Sequence, residues 1–175
     1  EGEHIAGFGN EDVTEVSAWS QVTPNLPYVL CKQFTNLNNL MIIASGVQFL
    51  TPKSFEFCHN LEEVAILLNH LVEIPENLFQ NSPKLRFANF DLNEIEIIDE
   101  AAFSGTENSL QVASFVTNAI STLPFGLFDG FNVIQRILFG TNRLTKLDSR
   151  IFGSSLSRVE HLAFHSNLID GIDEL

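Results

Sequence analysis

Basic residues are scarce in this chain. Its 175 residues contain nine Lys and Arg against 22 Asp and Glu, which gives a formal net charge of -13 at pH 7. Nucleic acids and anionic membrane surfaces attract proteins mainly through positive charge, so both are poor candidates for partners. No apolar run approaches the roughly 18 residues that a membrane-spanning helix needs. The composition therefore predicts neither nucleic-acid binding nor membrane insertion.

Signatures of catalysis and of cofactor binding are also missing. The sequence has no Gly-x-Ser-x-Gly elbow, no His-Glu-x-x-His pair and no glycine-rich phosphate loop. An acidic run at Glu94, Glu96, Asp99 and Glu100 lacks the ligand spacing of a calcium loop. No charged-then-apolar leader opens the sequence, so a secreted form would already have lost its signal peptide. We therefore expect a protein that is not an enzyme and uses no cofactor.

Phenylalanine and asparagine are abundant, and asparagine is periodic. Phe occurs 16 times, against one Trp and one Tyr. Five Asn residues recur in steps of 24, 25, 24 and 25, each followed two residues later by Leu or Ile. They are Asn69, Asn93, Asn118, Asn142 and Asn167. A fixed period of this length is typical of a repeat array in which each unit packs only on its neighbours.

The repeats can be aligned by counting each Asn as the ninth position. Repeats then start near 61, 85, 110, 134 and 159, and a copy with Ser45 in the Asn position starts near 37. A degenerate copy starts near 16 and places Pro24 at the ninth position. These seven turns predict a solenoid over 16–175, preceded by an N-terminal cap over 1–15.

The pattern L-x-x-L-x-L-x-x-N-x-L-x-x-I-P-x-x-x-F-x-x-L resembles the leucine-rich-repeat family. The 24-residue length and the late Phe are similar to its extracellular "typical" subclass, although the cysteine-rich caps of that subclass are missing. The resemblance implies an α/β solenoid: a right-handed superhelix with a curved parallel β-sheet on the concave side and loops or short 3₁₀ turns on the convex side. It also implies protein binding on the concave face in a secreted protein, in invertebrate innate immunity, adhesion or receptor binding.

Each repeated residue type has a physical reason. The fourth and sixth positions alternate with variable ones, as in a strand with one buried face. An Asn amide both donates and accepts hydrogen bonds, so the ninth-position side chains can satisfy buried backbone groups as a ladder. A Phe at position nineteen would form a convex-side spine, so most of the Phe excess is interpreted as structural. That spine comprises Phe34, Phe55, Phe79, Phe103, Phe128 and Phe152.

The concave sheet face is the predicted partner-binding surface, because its outward positions are unexpectedly apolar. A one-residue slip of the register would instead exchange the buried and exposed sets. Acidic residues lie toward the middle (Glu63, Asp91, Glu94) and basic ones follow (Arg136, Arg143), so a charge gradient could orient a partner. The predicted site comprises Met41, Ile43, Leu67, Leu68, Phe87, Asn89, Asp91, Leu92, Val112, Val116, Arg136, Leu138, His161 and His165.

Two pairs of residues invite chemical interpretations. His161 and His165 lie four residues apart on a strand, about 13 Å, which is too far to share one metal ion. We therefore predict no metal site. Cys31 and Cys58 fall on the convex side of neighbouring coils, where they could form a disulfide or remain two buried thiols.

The last repeat stops at Leu175, before its expected Phe. An uncapped solenoid end exposes apolar surface, so the chain could be part of a larger protein, pair with another copy, or be capped by another subunit. We expect a recognition module whose concave face binds a protein or an amphipathic ligand. The alternative is a structural subunit whose concave face and open end are contacts within an assembly.

Overall fold

Seven short parallel strands, one from each coil, form the main sheet of the protein. The computed structural model describes residues 9–173. The first eight residues of the expected cap, and the last two residues of the unfinished repeat, lie outside the described range. In chain order the strands are β1 Glu15–Trp19, β2 Asn39–Ile43, β3 Glu63–Leu67, β4 Glu73–Ile74, β5 Phe87–Asn89, β6 Ile97–Ile98, β7 Val112–Ser114, β8 Arg136–Leu138, β9 Lys146–Asp148, β10 His161–Ala163 and β11 Gly171–Asp173.

The sheet order β1-β2-β3-β5-β7-β8-β10 follows the chain, as expected of a solenoid in which every coil adds one strand. Two smaller parallel pairs, β4 with β6 and β9 with β11, lie after the turn that ends the main strands. The convex side carries short 3₁₀ segments at Pro52–Phe55, Ser149–Ile151 and Gly153–Arg158 and one helical turn, α1, at Leu30–Gln33. A further 3₁₀ segment, Asn10–Asp12, precedes β1. The predicted leucine-rich-repeat architecture is confirmed.

The strand register agrees with the Asn alignment from β2 onward. In β3, Val64 and Ile66 are buried while Glu63, Ala65 and Leu67 face outward. Pairing runs through equivalent positions, for example Glu63 with Phe87 and Val112 with Arg136. The alternative of a one-residue slip is therefore excluded for these coils.

Each ninth-position Asn ties its own coil to the preceding one. Asn142 donates to the carbonyls of Phe139 and Gly140 in its own coil and of Phe115 in the coil before, and it accepts from the Ile120 amide. The other four Asn side chains repeat this arrangement. Ser45 performs part of the same role, accepting weakly from the Gln21 amide and donating to the Ile43 carbonyl. The ladder therefore joins side chains to backbone groups, as the sequence predicted.

Two stacks of phenylalanine fill the core. One is the predicted spine from Phe55 through Phe79, Phe103 and Phe128 to Phe152, with ring centroids 4.9–6.5 Å apart. The other joins the sixth-position rings of Phe90, Phe115, Phe139 and Phe164 at 5.1–5.8 Å. These separations are typical of stabilising aromatic pairs.

The first coil departs from the predicted alignment. Val16 pairs with Leu40 and Trp19 with Ile43, so the register lies three residues earlier than the Pro24 alignment, and Gln21 takes the ninth position. Strand β1 also starts at Glu15, within the expected cap. Phe34 is wrong as a spine member, because it is only half-buried and Cys31 occupies the place 24 residues before Phe55.

Cys31 and Cys58 form a disulfide, with Cα atoms 5.0 Å apart. Both side chains are buried in the core, so the bond links the first coil to the second from inside. Of the two alternatives that the sequence left open, the structure shows the bonded one.

Candidate functional site

A shallow groove of about 420 Å³ lies on the concave face across the middle strands of the sheet. Its walls come from β2, β3, β5, β7 and β8 and from Asp91, which follows β5. Seven of the predicted partner-binding residues line it: Met41, Phe87, Asn89, Asp91, Val112, Arg136 and Leu138. Asn39, Glu63, Ala65 and Ser114 complete the polar and small parts of the lining.

The groove presents apolar side chains between polar ones. Met41, Phe87, Val112 and Leu138 are half-buried, which means that the neighbouring strands cover part of each side chain and leave the rest to solvent. A sheet face that only meets water would normally be polar. The apolar character predicted for this face is therefore present on its surface.

Asp91 is held in place by the neighbouring coil. Its Oδ1 accepts hydrogen bonds from the Ser114 hydroxyl at 2.6 Å and from the Val116 amide at 2.7 Å, and its own amide donates to Asn89 Oδ1 at 2.9 Å. Ser114 is buried as a result. Asp91 therefore forms a fixed wall of the groove. The sequence pattern did not indicate this bonding, since Ser114 occupies an outward position.

The remaining predicted residues lie outside the groove. Ile43 and Leu67 are the last residues of β2 and β3, and Leu68, Leu92 and Val116 lie beyond the ends of their strands. His161 and His165 belong to the last described coil. The His165 ring packs against Gly140 of the coil before, where a Cβ atom would collide with it. Among residues 9–173 no three His, Cys, Asp or Glu side chains cluster in a way that could hold a metal ion.

Trp19 is a surface residue that the sequence alignment missed. Its pairing with Ile43, and that of Ile43 with Leu67, places Trp19 at the seventh position of the first coil, with 55% of its surface exposed. The three side chains form one apolar row along the sheet. The 24-residue steps from Trp19 to Ile43 and to Leu67 could have revealed it, but the first coil was aligned on Pro24.

The eighth position of every coil has a left-handed backbone, with φ between 49° and 61°. These residues are Ser20, Ala44, Leu68, Leu92, Thr117, Thr141 and Ser166. Bulky side chains are rare in this conformation. Five coils place small or β-hydroxyl residues there, whereas Leu68 and Leu92 are 51% and 44% exposed. Neither burial nor backbone preference explains why leucine occupies these two positions, so its presence on the surface requires a different explanation.

A second cavity of about 330 Å³ lies away from the concave face, between the fifth and sixth coils, and is bordered by Phe125, Lys146, Asp148 and Arg150. The Arg150 guanidinium lies 3.9 Å from the centroid of the Phe125 ring and 2.6 Å from an Asp148 oxygen. Hydrogen bonds from the Arg150 side chain and backbone amide lower the pKa of Asp148 to about 2. This cluster is engaged internally and offers no evident ligand chemistry.

None of the helices in residues 9–173 has the length and hydrophobicity that a membrane span requires.

The family comparison matches most of the chain. Residues 26–158 match the model of a BspA-type leucine-rich-repeat region in six copies. The repeat length had suggested the "typical" subclass, and the model that matches is the BspA type.

Curated relatives match smaller parts. Leucine-rich repeat-containing protein 3 of Danio rerio is 26% identical over 87 residues, which are 50% of this chain and 33% of that protein. Leucine-rich repeat-containing protein 3B of Homo sapiens is 33% identical over 69 residues, 39% of this chain and 27% of that protein. The matching regions thus span at most a third of these relatives' lengths.

Several solved structures share the fold over nearly the whole chain. A leucine-rich-repeat protein of Leptospira interrogans superposes with a TM-score of 0.76 at 22% identity, covering 90% of this chain and 38% of that one. The leucine-rich-repeat domain of APL1B gives 0.72 at 17% identity, covering 91% and 46%. The Toll–Spatzle complex of Drosophila gives 0.71 at 20% identity, covering 93% and 26%. At these identities the likeness concerns the fold alone.

Proposed function

The chain belongs to the BspA-type leucine-rich-repeat family, and on that premise we propose that it is a non-enzymatic recognition module whose concave face binds a protein partner. The observation that carries the proposal is the groove across β2 to β8, with apolar side chains half open to solvent around the fixed Asp91. Concave, mostly apolar surfaces with a few placed polar groups are common binding sites.

The groove favours a partner that contributes apolar side chains and hydrogen-bond donors. Met41 and Phe87 offer contact area, while Glu63 and Asp91 offer carboxylate acceptors nearby. At the far side of the groove Arg136 supplies a positive charge. A peptide segment that lies across the strands would meet these groups in order, which gives the site a means of fixing orientation.

A displayed random-peptide library tests the groove directly. Peptides are selected on the wild-type protein and then measured on a variant that carries Phe87→Ala and Leu138→Ala. The matched control carries Phe125→Ala and Val133→Ala, which truncate exposed apolar side chains outside the groove. We expect the groove variant to weaken binding at least tenfold, about 1.4 kcal/mol or more, while the control binds as the wild type does. Equal binding by both variants would contradict the proposal.

The rival interpretation, a subunit of an assembly, makes a different prediction for the protein alone. If the concave face were a contact between copies, light scattering across a concentration series would show obligate oligomers, and the groove variant would dissociate them. A monomer at all concentrations supports recognition.

We further propose an extracellular setting, in innate immunity, adhesion or receptor binding. The Cys31–Cys58 disulfide supports it, because such bonds persist mainly in oxidising compartments. The shared fold with APL1B and with the Toll–Spatzle complex is consistent with it. Thiol titration of the protein from its natural source, unfolded without reductant, should find no free thiol; two free thiols would argue against this setting.

A further inference from the structure

Exposed apolar side chains continue from the concave face around the ends of the strands in the first four coils. We call this surface the apolar margin and define it by Trp19, Phe49, Leu68, Val72, Leu92 and Ile97, each 44–60% exposed. These residues occupy the seventh, eighth, twelfth and thirteenth positions of their coils. None of them lines the groove.

At the eighth, twelfth and thirteenth positions, the fifth and sixth coils carry polar residues. The eighth position changes from Leu68 and Leu92 to Thr117 and Thr141. The twelfth and thirteenth change from Val72 and Ile97 to Ser121, Thr122, Thr145 and Lys146. Since the backbone geometry of the coils is the same, the fold does not require apolar residues here. The apolar residues of the early coils are therefore a property of the protein surface and not a requirement of the fold.

The apolar margin is also strongly acidic. Residues 65–76 and 89–100 contain seven Asp and Glu and no Lys or Arg. Glu73, Glu94 and Glu96 are exposed and lie within two residues of Val72, Leu92 and Ile97 in the chain. Of these three carboxylates, Glu94 contacts His70 at 2.7 Å. A partner here must offer apolar groups and positive charge together.

We propose that the apolar margin docks a basic amphipathic helix of another protein. A second copy of this chain is a poor occupant, because two acidic margins would face each other within chains that each carry a net charge of -13. Successive coils lie about 4.8 Å apart, and one helical turn rises about 5.4 Å. A helix along the solenoid axis therefore sets one apolar residue against each coil and its lysines beside the glutamates.

The inference rests on the proposed recognition function and names the chemistry of the partner, but it uses a surface separate from the groove. The probe is a synthetic amphipathic helical peptide of leucine and lysine. Its comparator has glutamate in place of lysine at the same positions. Dissociation constants are measured by calorimetry at low and at physiological salt.

Two pairs of variants separate specific docking from general charge attraction. Glu73→Gln with Glu96→Gln removes two charges from the margin, and Glu56→Gln with Glu160→Gln removes two exposed charges elsewhere. We expect the first pair to weaken binding of the leucine–lysine peptide about fivefold at low salt, less at high salt, and the second pair to have little effect. Equal weakening by both pairs would overturn the proposal.

The apolar contribution has its own matched pair. Leu68→Asn with Leu92→Asn should weaken the peptide at least tenfold, whereas Val133→Asn with Leu168→Asn, at exposed sites off the margin, should not. Binding of the glutamate comparator with similar affinity would also count against the inference. If the margin variants bind the leucine–lysine peptide normally while Phe87→Ala with Leu138→Ala loses its selected peptides, this inference fails and groove recognition stands. If the margin variants lose the leucine–lysine peptide while Phe87→Ala with Leu138→Ala keeps its selected peptides, groove recognition fails and docking at the margin stands.

Discussion

Leu68 and Leu92 occupy the same place on successive coils, and both hold a left-handed backbone, with φ of 54° and 59°. A bulky side chain in that conformation costs roughly 1–2 kcal/mol, and Asn tolerates it better. We therefore expect Leu68→Asn and Leu92→Asn to leave the free energy of unfolding unchanged or to raise it by up to about 1 kcal/mol each. Urea denaturation measures the change in the free energy of unfolding, and an unchanged m-value shows that the change is one of stability alone.

The neighbouring Leu67 is the control for that substitution, since it lies in strand β3 and is half-buried. Leu67→Asn should lower the free energy of unfolding by about 1–2 kcal/mol. A comparable loss at Leu68 would show that its backbone conformation carries no strain.

The Asn ladder predicts that removing a single one of its side chains lowers the free energy of unfolding substantially. Asn142→Ala leaves the Ile120 amide and the Phe115 carbonyl buried without their side-chain partner. We expect a loss of about 2–4 kcal/mol in the free energy of unfolding. Asn132→Ala, which removes only an exposed hydrogen bond to Asn108, should stay within about 0.5 kcal/mol. Similar losses at both sites would argue against the ladder as the stabilising feature.

Ser82 is fully buried, and its hydroxyl has no hydrogen-bond partner among the described residues. Its equivalents two and three coils away differ: Phe131 is apolar, and the Ser155 hydroxyl donates to the Phe131 carbonyl at 3.0 Å. We expect Ser82→Ala to raise the free energy of unfolding by about 1 kcal/mol, because it removes an unsatisfied group. Ser155→Ala should lower it by a similar amount. Thermal and urea unfolding of both variants measure whether the changes in the free energy of unfolding have opposite signs, as expected.

The ionised carboxylate of Asp148 should contribute to the loss of folding stability at acidic pH. Its pKa falls from an ordinary 3.8 to about 2 in the folded protein because Arg150 holds the charged form. A depressed folded-state pKa stabilises the protein above the unfolded value, and the contribution disappears as the pH falls from about 4 toward about 2. Asp148→Asn should therefore unfold at a lower temperature than wild type at pH 5. The two curves should converge as the pH approaches 2, and a constant offset between them would contradict the linkage.

The sequence was sufficient for the fold because the repeated residues are also the ones that fix the register. Asn69 and its equivalents anchor each coil, so the buried and outward positions of the strands could be assigned from the sequence. The first coil failed because Gln21 replaces Asn, and Pro24 was taken as its anchor. That single misalignment hid Trp19 and made Phe34 a member of the spine in place of Cys31.

The candidate surfaces were harder to predict, for a different reason. Outward position alone does not tell how much of a side chain its neighbours cover. Ser114 is buried because it bonds to Asp91 of the coil before, and Gly140 is covered by His165 of the coil that follows. Such contacts depend on side-chain pairs that differ from coil to coil, whereas the backbone pattern repeats.

The Asn side chains complete the hydrogen bonds of the coil before their own, as Asn142 does for Ile120, and this gives the array a direction. A ribosome produces the coils in the same direction, from the amino terminus. During translation, the newest coil therefore keeps open amides until the next Asn has left the exit tunnel. Folding of the nascent chain should lag synthesis by one repeat, and a pause in translation after any coil would leave that coil as the point where a chaperone or a protease gains access.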